Sequence, residues 1–294
     1  MELTTIFYHT DEFCKLFEKE FKTRVLSDGK GKRNRGTLLS AAEVMTILIY
    51  YHNSGFKTFK DYYTKSHEIK AGFFPLPSYN RFIELQQKVF LPLALFSKLR
   101  SSNPCDGISF IDSFPLPISH QKRISSHKTF LGLAKRGKTS VGWFFGFKVH
   151  IIINTKGEII DFAITAGNVA DNNSKIVSQI MRNAWGKIFG DKGYLINQNL
   201  FQKLYFEGKE LVTKIRSNMT NKLVSVSDKL LLRKRGIVES VGAILKEDLN
   251  IQHSRYRNPL TLFLNVFSAL IAYSFRPKKP SLNPCFSQLL SSGF

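Results

Sequence analysis

The sequence is short of acidic residues. It holds 22 Asp and Glu against 43 Lys and Arg, which leaves a formal net charge of +21. Three tracts carry basic residues and no acid at all, namely 29–42, 113–157 and 249–294. One such tract is typical of a solvated loop, but three of them in one folding chain indicate a polyanion partner. Nucleic acid and an acidic membrane surface are the two partners that this charge allows.

Cysteines and long apolar runs are also scarce. The three cysteines, Cys14, Cys105 and Cys285, show no CxxC spacing, which argues against a disulfide framework or a zinc site and fits a reducing cytosol. The most apolar late stretch, 260–275, is 16 residues long and contains four polar residues, whereas a membrane span needs roughly 20 apolar ones. The N-terminus has early acids and no apolar core of a signal peptide. These absences predict a cytoplasmic protein with a nucleic-acid partner and no membrane contact.

The first third of the chain has the pattern of a helical region. Ser40 and Glu43 form a capping-box signature before an apolar run at helical spacing, and Ser78 is the expected N-cap of a later helix. Asn80 and Arg81 near a helix start are compatible with a helix-turn-helix reader, although a small helical bundle would show the same pattern. We expect residues 1–103 to form a helical region that helps to bind DNA.

From Ile108 onward the pattern changes to strands. Three strands in a meander are followed by strand–helix alternation, which predicts an α/β fold with a mixed sheet flanked by helices. Three antiparallel strands plus two parallel ones are the outline of a ribonuclease-H-like fold. We expect this domain to cover 104–282 and to leave a tail at 283–294. The predicted strands are 108–112, 142–153, 158–165, 187–191 and 209–215, and the predicted helices cover 171–185, 198–205, 227–246 and 260–275.

Two of the predicted strands end on an aspartate, Asp112 and Asp191. If the first strand lies beside the fourth, both carboxylates point into one crevice at the strand ends. Two close carboxylates need a cation, and hard oxygen ligands suit Mg²⁺ or Mn²⁺. A helix offers a third acid, because Arg235, Glu239 and Lys246 fall within a strip roughly 40° wide at 100° per residue. The apolar residues of that helix lie largely on its other side.

Each acid also has an ordinary structural interpretation. Asp112 could cap a turn, Asp191 could be a helix N-cap, and Glu239 could form a surface ion pair with Arg235. Asp171 is most simply a helix cap, and His150 a structural histidine. The order and spacing of all three acids together favour a catalytic site.

The spacing of Arg235, Glu239 and Lys246 resembles the signature of DDE transposases from bacterial insertion sequences. Leu232 stands where that signature usually has a tyrosine. Further motifs, in chain order, are IDSFPLPI, GWFFGFKVHI, AGNVADN and GDKGYL. Together they resemble the insertion-sequence group numbered nine-eighty-two from about residue 5 to 282. The resemblance implies a catalytic triad of Asp112, Asp191 and Glu239.

The activity expected of such a triad is phosphodiester hydrolysis and transesterification with two Mg²⁺ or Mn²⁺ ions. The resemblance implies double-stranded DNA as the partner, both the element's terminal inverted repeats and the target, and a homo-oligomer on paired ends. A metal-dependent nuclease or resolvase of the same fold is one alternative, and a non-catalytic DNA-binding descendant of a transposase is another. The side chains expected to contact DNA are Arg235, Lys246, Lys122, Arg123, Lys128, Lys135, Arg136 and Lys192.

Overall fold

The computed structural model describes residues 2–25, 38–124, 128–139, 142–214, 225–252 and 258–282. The chain divides into two compact units. The first consists of Met1–Leu99, Asp248–Ile251 and Asn258–Pro277, and the second of Arg100–Glu247, Gln252–Arg257 and Lys278–Phe294. Several residues of the acid-free tracts lie outside the described part, namely Lys30, Lys32, Arg33, Arg35, Arg255 and Arg257, as do Cys285 and the predicted tail.

The first unit is built from helices. The predicted capping box is present, because the Ser40 side chain accepts from the Glu43 N–H and the Glu43 carboxylate accepts from the Ser40 N–H. Ser78 likewise accepts from the backbone of Arg81 at the start of a later helix. Numbered along the whole chain, the helices of this unit are α1 (Leu3–Val25), α2 (Ala41–Tyr51), α3 (Phe59–Lys65), α4 (His67–Gly72), α5 (Tyr79–Lys88), α6 (Phe90–Arg100) and α11 (Pro259–Ser274).

Helix α11 is the buried core helix that its composition predicts. Ten of its residues are buried, and it packs on α2 and α5. It therefore belongs to the first unit, although the sequence order placed it within a domain covering 104–282. An apolar helix can join any core that offers it a matching face, and the sequence does not specify which one. Among the described residues, no helix combines the length and apolar character needed to cross a bilayer.

The second unit contains a six-stranded mixed sheet. Strand β3 lies next to β1 on one side, and on its other side it pairs with β4 along one half and with β2 along the other. Strand β5 pairs in parallel with both β1 and β6. The predicted parallel pairing of the first strand with the KIFGD strand is thus formed. The strands are β1 (Ile108–Ser119), β2 (Lys135–Thr139), β3 (Gly142–Ile153), β4 (Ile159–Ala166), β5 (Gly186–Gly190) and β6 (Lys209–Thr213).

Strand β1 does not end at Asp112 as predicted but continues through both prolines to Ser119. The Pro115 carbonyl accepts a hydrogen bond from the Gln252 side chain at 2.8 Å, so the polar backbone atoms of Pro115 point away from β3. Pro117 has the same orientation, because it lies two residues further along the strand. At these positions β5 no longer accompanies β1, so the missing N–H groups remove no strand pairing.

The tract between β1 and β3, predicted as a loop, contains a strand of its own. Its last part forms β2, in which Lys135 pairs with Gly146 and Lys138 with Trp143. Its middle part is anchored by Phe130, which is fully buried, and the centre of its ring lies 6.2 Å from that of Phe147. Three basic side chains of this tract, Lys135, Arg136 and Lys138, are therefore displayed from an ordered edge strand.

Helices cover both faces of this sheet. On the face of Ile111 and Ile152, α7 (Ser174–Ile180) and α8 (Gln198–Phe206) contribute to one apolar core. The N-cap of α7 is Asn173, so the prediction that Asp171 or Asn172 caps this helix was wrong. On the other face, α10 (Gly236–Ala243) packs on β1 and β3. The predicted single helix over 227–246 is instead α9 (Val226–Lys234), then α10, then a π turn at Ile244–Asp248.

A buried histidine in the first unit generates a prediction for stability. His52 is buried, with Nδ1 against the Leu249 carbonyl and Nε2 3.0 Å from the Ser268 hydroxyl. Burial lowers the pKa of His52 to about 4. The folded state therefore resists protonation, and its stability is fully present above about pH 6.5 and falls as the pH drops towards 4.

We predict that this loss reaches at most about 1.4 kcal/mol per pH unit between pH 6.5 and 4. Urea titrations followed by helical circular dichroism at pH 7.5 and pH 5 measure it. His52→Gln, which keeps a polar side chain but does not titrate, should show a smaller pH dependence. Equal pH dependence of the two proteins would contradict the prediction.

Candidate active site

Two aspartates lie side by side because of the parallel pairing of β1 and β5. Phe110 pairs with Phe189 in this register, so Asp112 and Asp191 both come two residues after a paired position. Asp191 directly follows β5 and precedes a short 3₁₀ turn, and its side chain makes no capping hydrogen bond. The expectation of two neighbouring aspartates at one region of the sheet therefore agrees with the register.

The third acid is carried by a break between two helices. Arg235 is both the C-cap of α9 and the N-cap of α10, and Glu239 lies in the first turn of α10. Because of this break, the Arg235 side chain is buried, with 11% of it exposed, while the Glu239 side chain is 56% exposed. Arg235 and Glu239 thus do not form one exposed strip with Lys246, as a continuous helix would have given.

The Arg235 guanidinium lies among all three carboxylates. Its Nη1 is 3.7 Å from Asp112 Oδ1, and its Nη2 is 4.0 Å from Asp191 Oδ1. The same Nη2 donates to Glu239 Oε1. Its Nε is buried and has no hydrogen-bond partner within the described residues. One cation therefore brings together the three acids that the sequence singled out.

Burial shapes the electrostatics of Asp112. It raises the pKa of the Asp112 carboxyl to about 6, while the positive charge of Arg235 lowers it and the charges of Glu239 and Asp191 raise it further. Asp112 is the most enclosed of the three acids, with 27% of its side chain exposed against 49% for Asp191. Any additional cation near this carboxylate would relieve the destabilisation of its ionised form.

The chemistry of these donors suits a hard divalent cation, because all three are carboxylates. Their present arrangement does not form a metal cluster: within the described ranges, no group of three or more His, Cys, Asp or Glu side chains is placed to hold a metal ion. The Arg235 guanidinium lies where the three acids approach one another, and it balances their charge. The three carboxylates are thus of the ligand type that a divalent ion prefers. Arg235 would compete with such an ion for them.

A second polar cluster lies behind Asp112, on the other face of β1. Asp171 Oδ1 accepts from the Ser113 hydroxyl at 2.8 Å and from Lys148 Nζ at 3.1 Å. Lys148 is nearly buried, so Asp171 supplies the counter-charge that a buried ammonium requires. Asp171 is therefore an ion-pair partner and not a helix cap. A lysine in the middle of an apolar strand was the sequence signal for such a partner.

His150 lies in this second cluster. Its Nε2 is 3.0 Å from the Thr165 hydroxyl, and burial lowers the pKa of His150 to about 4. The imidazole is therefore neutral at pH 7. Burial also raises the pKa of Tyr194 well above its ordinary value. Neither group therefore titrates near neutral pH.

A cavity of about 500 Å³ opens beside the acids. Asp112, Glu239, Gly242 and Lys246 line it, together with residues of β2 and β3. The π turn places Lys246 Nζ 5.3 Å from the centre of the Phe114 ring. Of the other basic side chains predicted to contact DNA, these are exposed at the surface: Lys122, Arg123, Lys128, Lys135, Arg136 and Lys192. Arg235 is the exception, since it is buried among the carboxylates.

Three acids carried by two sheet strands and a helix, beside a cavity that Lys246 also lines, define a candidate phosphoryl-transfer site. A family model described as the transposase DDE domain matches residues 102–259, which is more than half of the chain. The chain belongs to this family. The matched residues include Asp112, Asp191 and Glu239.

Comparison with solved structures gives weaker likenesses. One is the crystal structure of the Mos1 strand transfer complex, at 11% identity over 90% of this chain and 87% of that chain, with a TM-score of 0.24. Another is the crystal structure of the Mos1 mariner paired end complex with Mn, at 14% identity over 91% and 88% of the two chains, also with a TM-score of 0.24. These TM-scores do not establish a shared fold. No curated protein matches the chain.

The raised pKa of Asp112 gives a prediction for stability. The carboxyl holds its proton more tightly in the folded state (pKa about 6) than in the unfolded chain, where the pKa is about 4. Ionisation of Asp112 therefore costs folding stability. This cost grows as the pH rises from about 4 to 6 and is complete above about pH 6. Asp112→Asn removes this charge and should raise the free energy of unfolding by about 1–3 kcal/mol at pH 7.5 in EDTA.

Urea unfolding with both proteins at pH 7.5 and pH 4 measures the difference, which should vanish at the lower pH. Asp161→Asn is the matched control. Asp161 of β4 pairs with Ile152 of β3, and Asp112 of β1 pairs with the neighbouring Ile151. The two carboxylates therefore lie on opposite faces of the sheet. A destabilised Asp112→Asn protein at pH 7.5 would contradict the prediction.

Proposed function

We propose that this chain is a DNA transposase that cleaves and joins DNA strands at the terminal inverted repeats of its own element. The single observation that carries the proposal is the meeting of Asp112, Asp191 and Glu239 around one guanidinium in a chain of the DDE transposase family. The surplus of 21 positive charges supports a polyanionic substrate. The motifs in chain order support membership of the group numbered nine-eighty-two and a ribonuclease-H-like sheet.

In the working enzyme, Asp112, Asp191 and Glu239 would hold two Mg²⁺ or Mn²⁺ ions. Such ions, when bound, lower the pKa of an attacking water and stabilise charge on the leaving oxygen. Asp112 is the most enclosed of the three acids, which strengthens its interactions with nearby charges. The three carboxylates attract divalent cations most strongly when all are ionised, so their role in binding is favoured at neutral and higher pH.

The basic residues of the site have separate roles. Bound ions would compete with Arg235 for the same three carboxylates. The N–H donors of its planar guanidinium would then be available to a DNA phosphate. Lys246 lines the same cavity and offers a second positive charge to the strand being cut. The exposed basic residues on and around β2 extend this positive surface, and Lys192 adds a charge directly after Asp191.

The remaining assignments follow from the same proposal. The helical first unit would help to recognise the DNA ends, with a helix-turn-helix as one way of doing so. Double-stranded DNA, as element ends and as target, would be the partner of a homo-oligomer assembled on paired ends. The protein would act at the bacterial nucleoid in the cytoplasm. Against a non-catalytic descendant stands the presence of all three acids.

Removing one acid tests the catalytic assignment. Asp191→Asn should abolish Mg²⁺-dependent cleavage of a duplex carrying the element's end, because the amide is a poor ligand for a hard cation. DNA affinity, measured by fluorescence anisotropy at fixed salt, should stay within about threefold of the original protein's. Asp161→Asn, on the far face of the sheet, is expected to cleave normally. Unimpaired cleavage by Asp191→Asn would remove Asp191 from the site.

Strand joining separates a transposase from a nuclease or resolvase of the same fold. Supplied with pre-cleaved element ends carrying a free 3′-hydroxyl, a target plasmid and Mg²⁺, the protein should produce joined molecules that are visible on a denaturing gel. The same ends blocked with a 3′-deoxy nucleotide should give none, because the attacking hydroxyl is missing. Nicked target without joined product would favour the nuclease.

A further inference from the structure

Trp143 is an exposed aromatic residue on an otherwise buried strand. It is 57% exposed, whereas the ten residues that follow it on β3 are all buried. An indole combines a large apolar face with a polar N–H, and tryptophan is enriched at binding surfaces for this reason. The chain has only one other tryptophan, Trp185, which is equally exposed.

Trp143 shares a sheet face with the candidate catalytic residue Asp112. Asp112 pairs with Ile151, and Trp143 lies an even number of residues before Ile151 on the same strand. Side chains alternate along a strand, so Trp143, Ile151 and Asp112 all project from one face. The cavity of about 500 Å³ is lined by Asp112 and also by Thr139, Gly142 and Trp143. It forms a path from the acids to the indole.

Basic side chains lie beside the Trp143 ring, on the side away from the acids' cavity. Lys138 is its cross-strand partner, with Nζ 5.6 Å from the ring centre, which is within the range of a cation–π contact. A second cavity of about 380 Å³ is lined by Trp143 together with Lys122, Ile124, Arg136 and Phe144. An aromatic platform set among basic side chains, with no acid in the lining of this cavity, is the pattern with which proteins bind single strands of nucleic acid.

We propose that Trp143 is a stacking site for an unpaired nucleobase of the DNA strand that leads to the catalytic carboxylates. Lys122, Arg136 and Lys138 contact the phosphates on either side of that base. The base is unpaired because the faces of bases inside a duplex are covered by their neighbours, so an indole reaches only a frayed, extruded or single-stranded one. This inference rests on the proposed function for the identity of the strand. A docking site for a second copy of this chain is the competing occupant, and the basic surroundings disfavour it.

The two tryptophans provide the test. In Trp185→Phe the only indole is Trp143, and in Trp143→Phe it is Trp185. Trp185 precedes β5 and Asp191 follows it, so the control indole lies at the opposite end of that strand from the acids. Titration in EDTA with a mixed-sequence single-stranded 12-mer should quench the fluorescence of Trp185→Phe by stacking and leave that of Trp143→Phe nearly unchanged. Heparin, a polyanion without bases, should bind both variants without quenching either.

The affinity of Trp143→Ala for the 12-mer should fall about tenfold, while Trp143→Phe, which keeps an aromatic face, should lose only about two- to threefold. Circular dichroism and thermal melting check that the variants are folded. Equal quenching of the two indoles, quenching by heparin, or unchanged affinity of Trp143→Ala would overturn the inference. Quenching of Trp143 that depends on protein concentration without DNA would overturn it in favour of a second copy.

The binding titrations contain no divalent ion and need no cleavage, so they separate this inference from the proposed function. Failure of Asp191→Asn to lose activity would count against the carboxylate site and leave the stacking result intact. Absence of Trp143 quenching in a protein that cleaves and joins DNA normally would count against the stacking site alone.

Discussion

The candidate active site depends on the compensation of three negative charges by one buried guanidinium. Asp112, Asp191 and Glu239 come from distant parts of the chain and repel one another, and Asp112 is also enclosed. Arg235 stabilises their approach by reaching all three at once. It can do so because the helix breaks at this residue, which turns the side chain towards the sheet. The charge balance of the site thus depends on the backbone conformation at the junction between α9 and α10.

The same balance explains how a cluster of three acids persists in a strongly basic protein. Nearly twice as many basic as acidic residues leave few acids for the interior, and those present are placed with partners. Asp171 compensates buried Lys148 behind the site, and Asp228 holds Lys187 of β5 with both carboxylate oxygens. Exposed basic side chains lie on β2, whose Thr139 lines the cavity, at Lys135, Arg136 and Lys138. A phosphate backbone would therefore be drawn to the region in which the acids are concentrated.

Much of the site could be predicted from the sequence, because its signals are local. Apolar runs identified β1, β3 and β5, and a parallel crossover brought Asp112 beside Asp191. The features that were missed depend on tertiary pairing. Strand β2 has the composition of a solvated loop and is a strand only because β3 offers it an edge. No proline marks the helix break at Arg235 in the sequence. The ion pair of Asp171 with Lys148 joins residues that are far apart in the chain.

The two prolines of β1 have a consequence for the assembly of the protein. Beyond Phe110 the outward side of this strand is not paired with β5, and an unpaired strand side is a template on which another chain can add. Pro115 and Pro117 present no N–H group on that side, so an incoming strand finds no ladder of donors there. The edge beside the carboxylates is thereby protected against strand addition and cross-β aggregation. The backbone on this side of β1 therefore stays uncovered by another strand beside the carboxylates.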